Sequence, residues 1–247
     1  ALKDPEVEYI ALLNTDARLD PQWLERLIEF SQGKPRVAQL QGTTLDYYNH
    51  GVVDSTHIFI SRNGQGTQGS WRDTYKTEFG PKKVFGVNAA ACVITRAFIE
   101  AQPFGAEVFD ETMFMYLEDV DLSTRATVMG WDNYLVPGAT AYHMGSASSG
   151  KNPGFSLFMT FRNNTGLLVK NLPLRLLLRL WPRIIRSDLD TVRHLRAQGK
   201  PAAAGKVIKG RFIGMLRAPL FFKKRRMLAP KRRISEKYIW QLMHKGY

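Results

Sequence analysis

Within the first forty residues an apolar run, a capped helix and a second apolar run follow one another, and that order leaves few architectures open. Glu8-Tyr9-Ile10-Ala11-Leu12-Leu13 is short and apolar and reads as a buried parallel strand ending at Asn14-Thr15-Asp16. Asp20 suits the N-cap of a helix and Pro21 its first position. Trp23, Leu24, Leu27, Ile28 and Phe30 give that helix an apolar face, and Gly33-Lys34-Pro35 closes it. Arg36 to Leu40 reads as the next strand. Strand, helix and strand in this order argue for an α/β domain.

The net charge of +13 hides a division. Residues 1–161 hold 13 Lys+Arg and 19 Asp+Glu, a net −6, whereas residues 162–247 hold 22 and 3, a net +19. An acidic globular part, taken as residues 1–155, is therefore expected to carry a basic helical extension, residues 156–247. Hydrophobic residues at 44% supply a core and exclude wholesale disorder. Nucleic acid is not the expected partner, because the globular part is acidic and no recognised module is present. Cys92 is the single cysteine, so neither an internal disulfide nor a Cys-based zinc site can form, and a reducing compartment fits. The first five residues lack a signal-peptide pattern, and no apolar run approaches the ~18 residues that would span a bilayer.

Residues 61–83 are rich in Gly, Ser, Thr and Asn and read as a long surface loop. The loop includes Gly64-Gln65-Gly66-Thr67-Gln68-Gly69, a literal GxGxxG, but no apolar helix start follows it, and the dinucleotide reading fails on context. Val84 to Ile94 reads as a turn and a buried strand, with a short helix through Glu100. A helix is expected from Val120 to Met129, ending at Gly130. Trp131 to Val136 and Ala139 to His143 read as two strands separated by a Pro137-Gly138 turn, followed by a flexible stretch from Gly145 to Gly150.

Three places could carry chemistry. Asp16 directly follows a strand, where open α/β folds bind ligands, and its hard oxygen suits Mg²⁺ or Mn²⁺; a capping role before the helix fits equally well. Glu118-Asp119-Val120-Asp121 packs three carboxylates into four residues. Such a cluster must be solvated, paired or used, and one member could serve as a general base. The alternative is a helix start that favours acids, which accounts for Asp121 better than for Glu118; Arg125 stands one turn on and could pair with Asp121. His143 ends a strand beside a glycine-serine stretch, where a structural hydrogen-bonding role competes with that of a ligand.

Taken in order, these pieces resemble bacterial family 2 glycosyltransferases of the rhamnosyltransferase-like group. The marks are Leu12-Leu13-Asn14-Thr15-Asp16 with Asp20-Pro21-Gln22-Trp23-Leu24, Phe85-Gly86-Val87-Asn88-Ala89-Ala90, Glu118-Asp119-Val120-Asp121-Leu122-Ser123 with Arg125 and Gly130-Trp131, and Val136-Pro137-Gly138-Ala139 through His143, Gly145 and Ser146. The resemblance implies a GT-A-type fold and inverting transfer of a sugar, with rhamnose as the candidate, from a nucleotide-diphosphate donor to a hydroxyl of a surface-glycan or lipid-linked acceptor. By the same resemblance Asp16 would hold a divalent metal, Mg or Mn, together with His143, and Asn14 would lie at the donor diphosphate in place of the family's first acid. Asp119 would be the catalytic base, and Glu118, Asn88 and Ala89 would shape the acceptor site. Family members begin with further strands that bind the base and ribose, so an incomplete donor pocket, an exposed sheet edge that promotes self-association and inactivity of this chain alone are expected.

Arg175, Arg179, Arg183 and Arg186 fall on one helical stripe among leucines, Trp181 and isoleucines, with Pro182 expected to kink the helix. Lys223-Lys224-Arg225-Arg226 follows Phe221-Phe222. A basic amphipathic extension with aromatic anchors points to an anionic membrane surface, and so to a peripheral place on the cytoplasmic face of a bacterial membrane. The alternative is a helical subdomain packed on the core. Two rival functions stand beside glycosyl transfer: a non-catalytic membrane-associated scaffold, and a nucleotidyltransferase, against which Glu118-Asp119 and His143 speak.

Overall fold

The computed structural model describes residues 3–76, 80–105, 107–145 and 153–243. The strands are β1 (Tyr9–Leu13), β2 (Ala17–Leu19), β3 (Val37–Asp46), β4 (Val53–Ser55), β5 (His57–Ile60), β6 (Gly66–Gly69), β7 (Lys82–Val84), β8 (Ala91–Thr95) and β9 (Asp132–His143). The helices are α1 (Trp23–Ser31), α2 (Arg96–Ala101), α3 (Glu118–Val128), α4 (Pro153–Asn171), α5 (Leu174–Ala197), α6 (Pro201–Leu216), α7 (Ala218–Leu228) and α8 (Glu236–Leu242).

The central sheet runs β1-β8-β3-β9-β2, with β4 beside β3 and β7 beside β9. Alternation of side chains along the strands divides the core into two clusters. Val37, Leu40, Ala91 and Val93 face α1, where they bury Trp23 and Leu27. Ala38, Cys92 and Ile94 face the opposite side, where they meet α2, α3 and the later helices. This is a mixed α/β architecture, as the opening residues suggest.

Several local expectations change. β1 is not a buried parallel strand: it pairs antiparallel with β8 at one end of the sheet, and Leu13 is 48% exposed. Both β1 and β3 run opposite to β8, so they share a direction with one reversed strand between them. The first helix begins at Trp23 with no side-chain cap; Asp20 instead accepts the Gln22 N–H in the preceding turn. Residues 61–83 are not one long loop, because β5 and β6 form an antiparallel hairpin. The GxGxxG glycines are explained by packing there. Gly64 has φ +76 and lies against Ile184 of α5, and a Cβ on Gly69 would overlap the His57 ring. The two strands expected around Pro137-Gly138 are one, β9, whose pairing with β3 shifts register between Gln41 and Thr43. Ser146 to Gly150 fall outside the described residues.

The basic helices are packed on the core. Leu167, Leu168, Leu172, Leu176, Leu180, Ile184, Phe221 and Ile239 join the same cluster as the sheet and α3. Among the described residues no helix is long and apolar enough to cross a membrane.

Candidate active site

Strand direction assembles the site. β1 and β3 share a direction, and β9 runs parallel to β3, so their carboxyl ends lie on one edge of the sheet. β8 is reversed, so its amino end, preceded by Asn88 and Ala89, comes to the same edge. Residues far apart in sequence therefore meet: Asp16 after β1, Asn88 and Ala89 before β8, and His143 at the end of β9.

Hydrogen bonds tie these pieces together. The Asn14 N–H donates to the Ala90 carbonyl at 2.9 Å, which holds the exposed Asn14 beside the 88–90 turn. That turn is shaped by Asn88, whose side-chain oxygen accepts the Ala90 N–H at 2.8 Å while its own N–H donates to Gln41. The Ala89 N–H donates to Asp119 Oδ2 at 3.5 Å. Asp16 accepts the Met144 N–H on its backbone oxygen, and its carboxylate lies 3.3 Å from His143 Nε2.

His143 sits between two carboxylates. Its Nδ1 lies 2.9 Å from Asp54 Oδ2. The hydrogen bond to Asp54 raises the imidazole above its usual pKa, burial opposes this, and the Asp54 and Asp16 charges add to the rise. Asp54 was not singled out in the sequence. It lies in β4, whose pairing with β3 brings it to the edge, and nothing in Val52-Val53-Asp54-Ser55 distinguishes it from a surface turn.

The residues present fit a divalent cation. Two ligands at right angles, each about 2.1 Å from Mg²⁺, lie about 3 Å apart, close to the observed Asp16–His143 separation. Among the described residues no group of three His, Cys, Asp or Glu converges as a full protein cage. One or two protein ligands with substrate phosphates completing the shell is the usual arrangement for Mg²⁺. Asp54 is turned to the other imidazole nitrogen, the position that fixes a ligating histidine. Asp54→Asn is expected to weaken Mn²⁺ binding by about 10- to 100-fold, measured by paramagnetic resonance of free Mn²⁺. An unchanged affinity would remove Asp54 from this role.

The acidic knot divides by burial. Asp121 is fully buried and pairs with Arg125 at 3.0 Å, one turn on, as its spacing suggests. Glu118 and Asp119 occupy the first turn of α3, partly exposed. Burial raises the Asp119 carboxyl, partly offset by the backbone N–H groups of Val120 and Ala89. Burial and the neighbouring Asp119 charge push Glu118 up to about 7, and its Oε2 is buried with no hydrogen-bond partner among the described residues. Both carboxyls therefore hold a proton more tightly than a solvated carboxylate does.

The backbone entering α3 is strained and clamped. Phe114, Tyr116 and Leu117 all have positive φ, unusual for residues with side chains. Asn163 Nδ2 of α4 lies within 2.9 Å of the Met113, Met115 and Tyr116 carbonyls, and Arg217 Nη2 reaches Thr112 O at 2.8 Å. The basic helices thus brace the segment that delivers Glu118 and Asp119.

No family model matches the chain. Two curated proteins, from two strains of Mycobacterium tuberculosis, are each 27% identical over 161 residues, 61% of this chain and 51% of theirs. Both are named N-acetylglucosaminyl-diphospho-decaprenol L-rhamnosyltransferase. The chain is similar to a rhamnosyltransferase. It spans about half the length of these curated relatives. A solved structure, A197 from STIV, matches over 57% of this chain and 60% of that one, with 17% identity and a TM-score of 0.34. The rhamnosyltransferase similarity supports a relation to glycosyltransferases in general terms.

Proposed function

We propose that this protein transfers a sugar, with inversion, from a nucleotide-diphosphate donor to a hydroxyl of a lipid-linked bacterial glycan. The observation that carries the reading is the shared sheet edge, where the Asp16–His143 pair is joined through Asn14 and the 88–90 turn to Asp119. The relatives, whose name specifies a rhamnosyl group and a decaprenol-linked acceptor, favour rhamnose and a polyprenyl carrier.

Asp16 and His143 would hold Mg²⁺ or Mn²⁺, which supplies positive charge to the diphosphate as it leaves. Asp119 takes the proton from the attacking hydroxyl, so that the oxygen reaches the sugar carbon as a nucleophile in one displacement. Glu118, beside Asp119 and with an oxygen that has no hydrogen-bond partner among the described residues, binds and orients the acceptor. Asn88 and Ala89 form the wall of that site: the Asn88 side chain shapes the turn, and the Ala89 N–H holds Asp119.

The basic helices lie against an anionic membrane surface in this reading. Exposed Leu178 and Ile185 of α5, Ile208 and Phe212 of α6, and Leu220 and Phe222 of α7 alternate with exposed basic residues. Apolar side chains among cations suit the boundary between headgroups and acyl chains. This placement would keep a lipid-linked acceptor close to the sheet edge.

In a protein with its donor pocket completed, Asp16→Ala should abolish the metal-dependent part of nucleoside-diphosphate binding, measured by calorimetry with and without Mn²⁺. A variant that keeps the wild-type difference between the two titrations would exclude Asp16 as the metal ligand.

A further inference from the structure

Among the described residues, two aromatic rings are each surrounded by three cations, but only one of the two sets is matched by anions. Around Phe104 stand Arg125, Lys170 and Lys224, at 5.4, 5.6 and 5.8 Å from the ring centre. Asp110, Asp121 and Glu107 form salt bridges to those three cations. Around Trp240 of α8 stand Arg179, Arg62 and Arg183, at 4.5, 4.6 and 5.1 Å. Among the described residues, no carboxylate is within salt-bridge distance of any of these three arginines. The Arg62 Nε is buried with no hydrogen-bond partner among the described residues.

The Trp240 cluster is assembled from separate elements. Arg62 sits in the turn between β5 and β6, and Arg179 and Arg183 are one turn apart on α5. Stacking on the indole attracts each guanidinium but leaves its charge uncancelled. It also occupies the flat face of the group and leaves the N–H edge free to donate. The Phe104 cluster shows how this fold completes such an arrangement when the anions are its own. Three uncompensated forks around one ring call for an anion from outside.

We infer that the Arg62–Arg179–Arg183–Trp240 cluster is a binding site for a phosphate-bearing anion. Phosphate oxygens match the paired donors of a guanidinium edge, and several guanidiniums can grip one phosphate group. Neither the sheet-edge residues nor the transfer reaction enters this argument. The same chemistry is offered by a phospholipid headgroup and by a free diphosphate, and the test separates them.

The intact chain is titrated with inorganic pyrophosphate by calorimetry, with a chelator present so that the Asp16–His143 pair contributes nothing. In parallel it is sedimented with vesicles of phosphatidylglycerol and of phosphatidylcholine. Two variants are compared. One is Arg62→Gln with Arg179→Gln and Arg183→Gln. The other, Arg175→Gln with Arg186→Gln and Lys209→Gln, removes the same charge from exposed positions away from the ring. Pyrophosphate binding that weakens at least tenfold only in the first variant assigns the site to a soluble diphosphate. Phosphatidylglycerol binding that falls at least tenfold more in the first variant than in the second assigns it to a lipid headgroup. Equal losses in the two variants, or no binding of either anion, would overturn the inference and leave the arginines as stacking groups. If the first variant fails to fold, Arg183→Gln against Arg183→Lys at that exposed position gives the same comparison, with lysine expected to recover only part of the affinity because it lacks the fork.

Discussion

Replacing Asp119 by asparagine, in a protein with its donor pocket completed, is expected to lower sugar transfer by at least about a hundredfold, the usual scale for losing a general base. The change keeps the shape of the side chain, and the amide oxygen can still accept the Ala89 N–H, so donor binding should stay near normal. The pH dependence gives an independent reading. A base works only when ionised, and burial raises the Asp119 pKa, so the wild-type rate should fall as pH drops through that raised value. Glu118, pushed up to about 7, titrates next to it, and the two will appear as a coupled pair of steps rather than as separate residues. In Asp119→Asn the acid limb belonging to the base should disappear along with the rate. A variant that transfers sugar at the wild-type rate, with the same acid limb, would remove Asp119 from the role.

The sequence was most informative where one residue type does one local job. Gly130 has φ +73 and ends α3 where expected, and Arg125 meets Asp121 at the i,i+4 spacing. The α/β class was legible because the opening apolar runs and the helix between them carry their periods within a few residues. The sheet order was not. β1 looks like a buried parallel strand because its composition is apolar, but composition does not say which strand lies beside it. The reversed β8, about eighty residues on, decides that. Asp54 was missed for the same reason. Its partner His143 is 89 residues away, and a lone acid in a short strand has no local signature. In the basic extension the charge run pointed outward as a whole, yet Lys170 is fully buried and Lys224 is largely so. A net charge cannot say which of its members are paired inside.

Lys170→Met should destabilise the protein by about 3–5 kcal/mol, the scale for breaking a buried ion pair by removing one partner. Lys170 is about 1% exposed and bridges Asp110 and Asp121, which are equally buried. Methionine fills similar space, so the loss is that of a charge rather than of packing. Asp121 would keep Arg125 and Asn171, and Asp110 would keep Lys224, which sets the expectation toward the lower end of the range. Burial by itself would raise the Asp110 pKa, but the Lys170 charge and the hydrogen bonds from Lys170, Lys224 and Thr112 outweigh it and hold the carboxyl well below its usual range. A depressed carboxyl stabilises the fold above its unfolded pKa of about 3.9, and that contribution is lost as pH falls toward the folded value. Acid unfolding should therefore begin at a higher pH in Lys170→Met than in the wild type, read by circular dichroism at fixed salt. Exposed Lys209→Met is the control and should shift neither midpoint. The consequence extends to the site, because Asp121 follows Asp119 by two residues on α3. The network that fixes Asp121 joins α3 to Lys170 and Asn171 of α4, and α4 also holds the strained segment from Met113 to Leu117 through Asn163. Loosening it should lower transfer activity below the temperature at which the whole fold melts. Equal wild-type and Lys170→Met stabilities in denaturant, within about 1 kcal/mol, would show that the buried charges are held by the remaining partners alone.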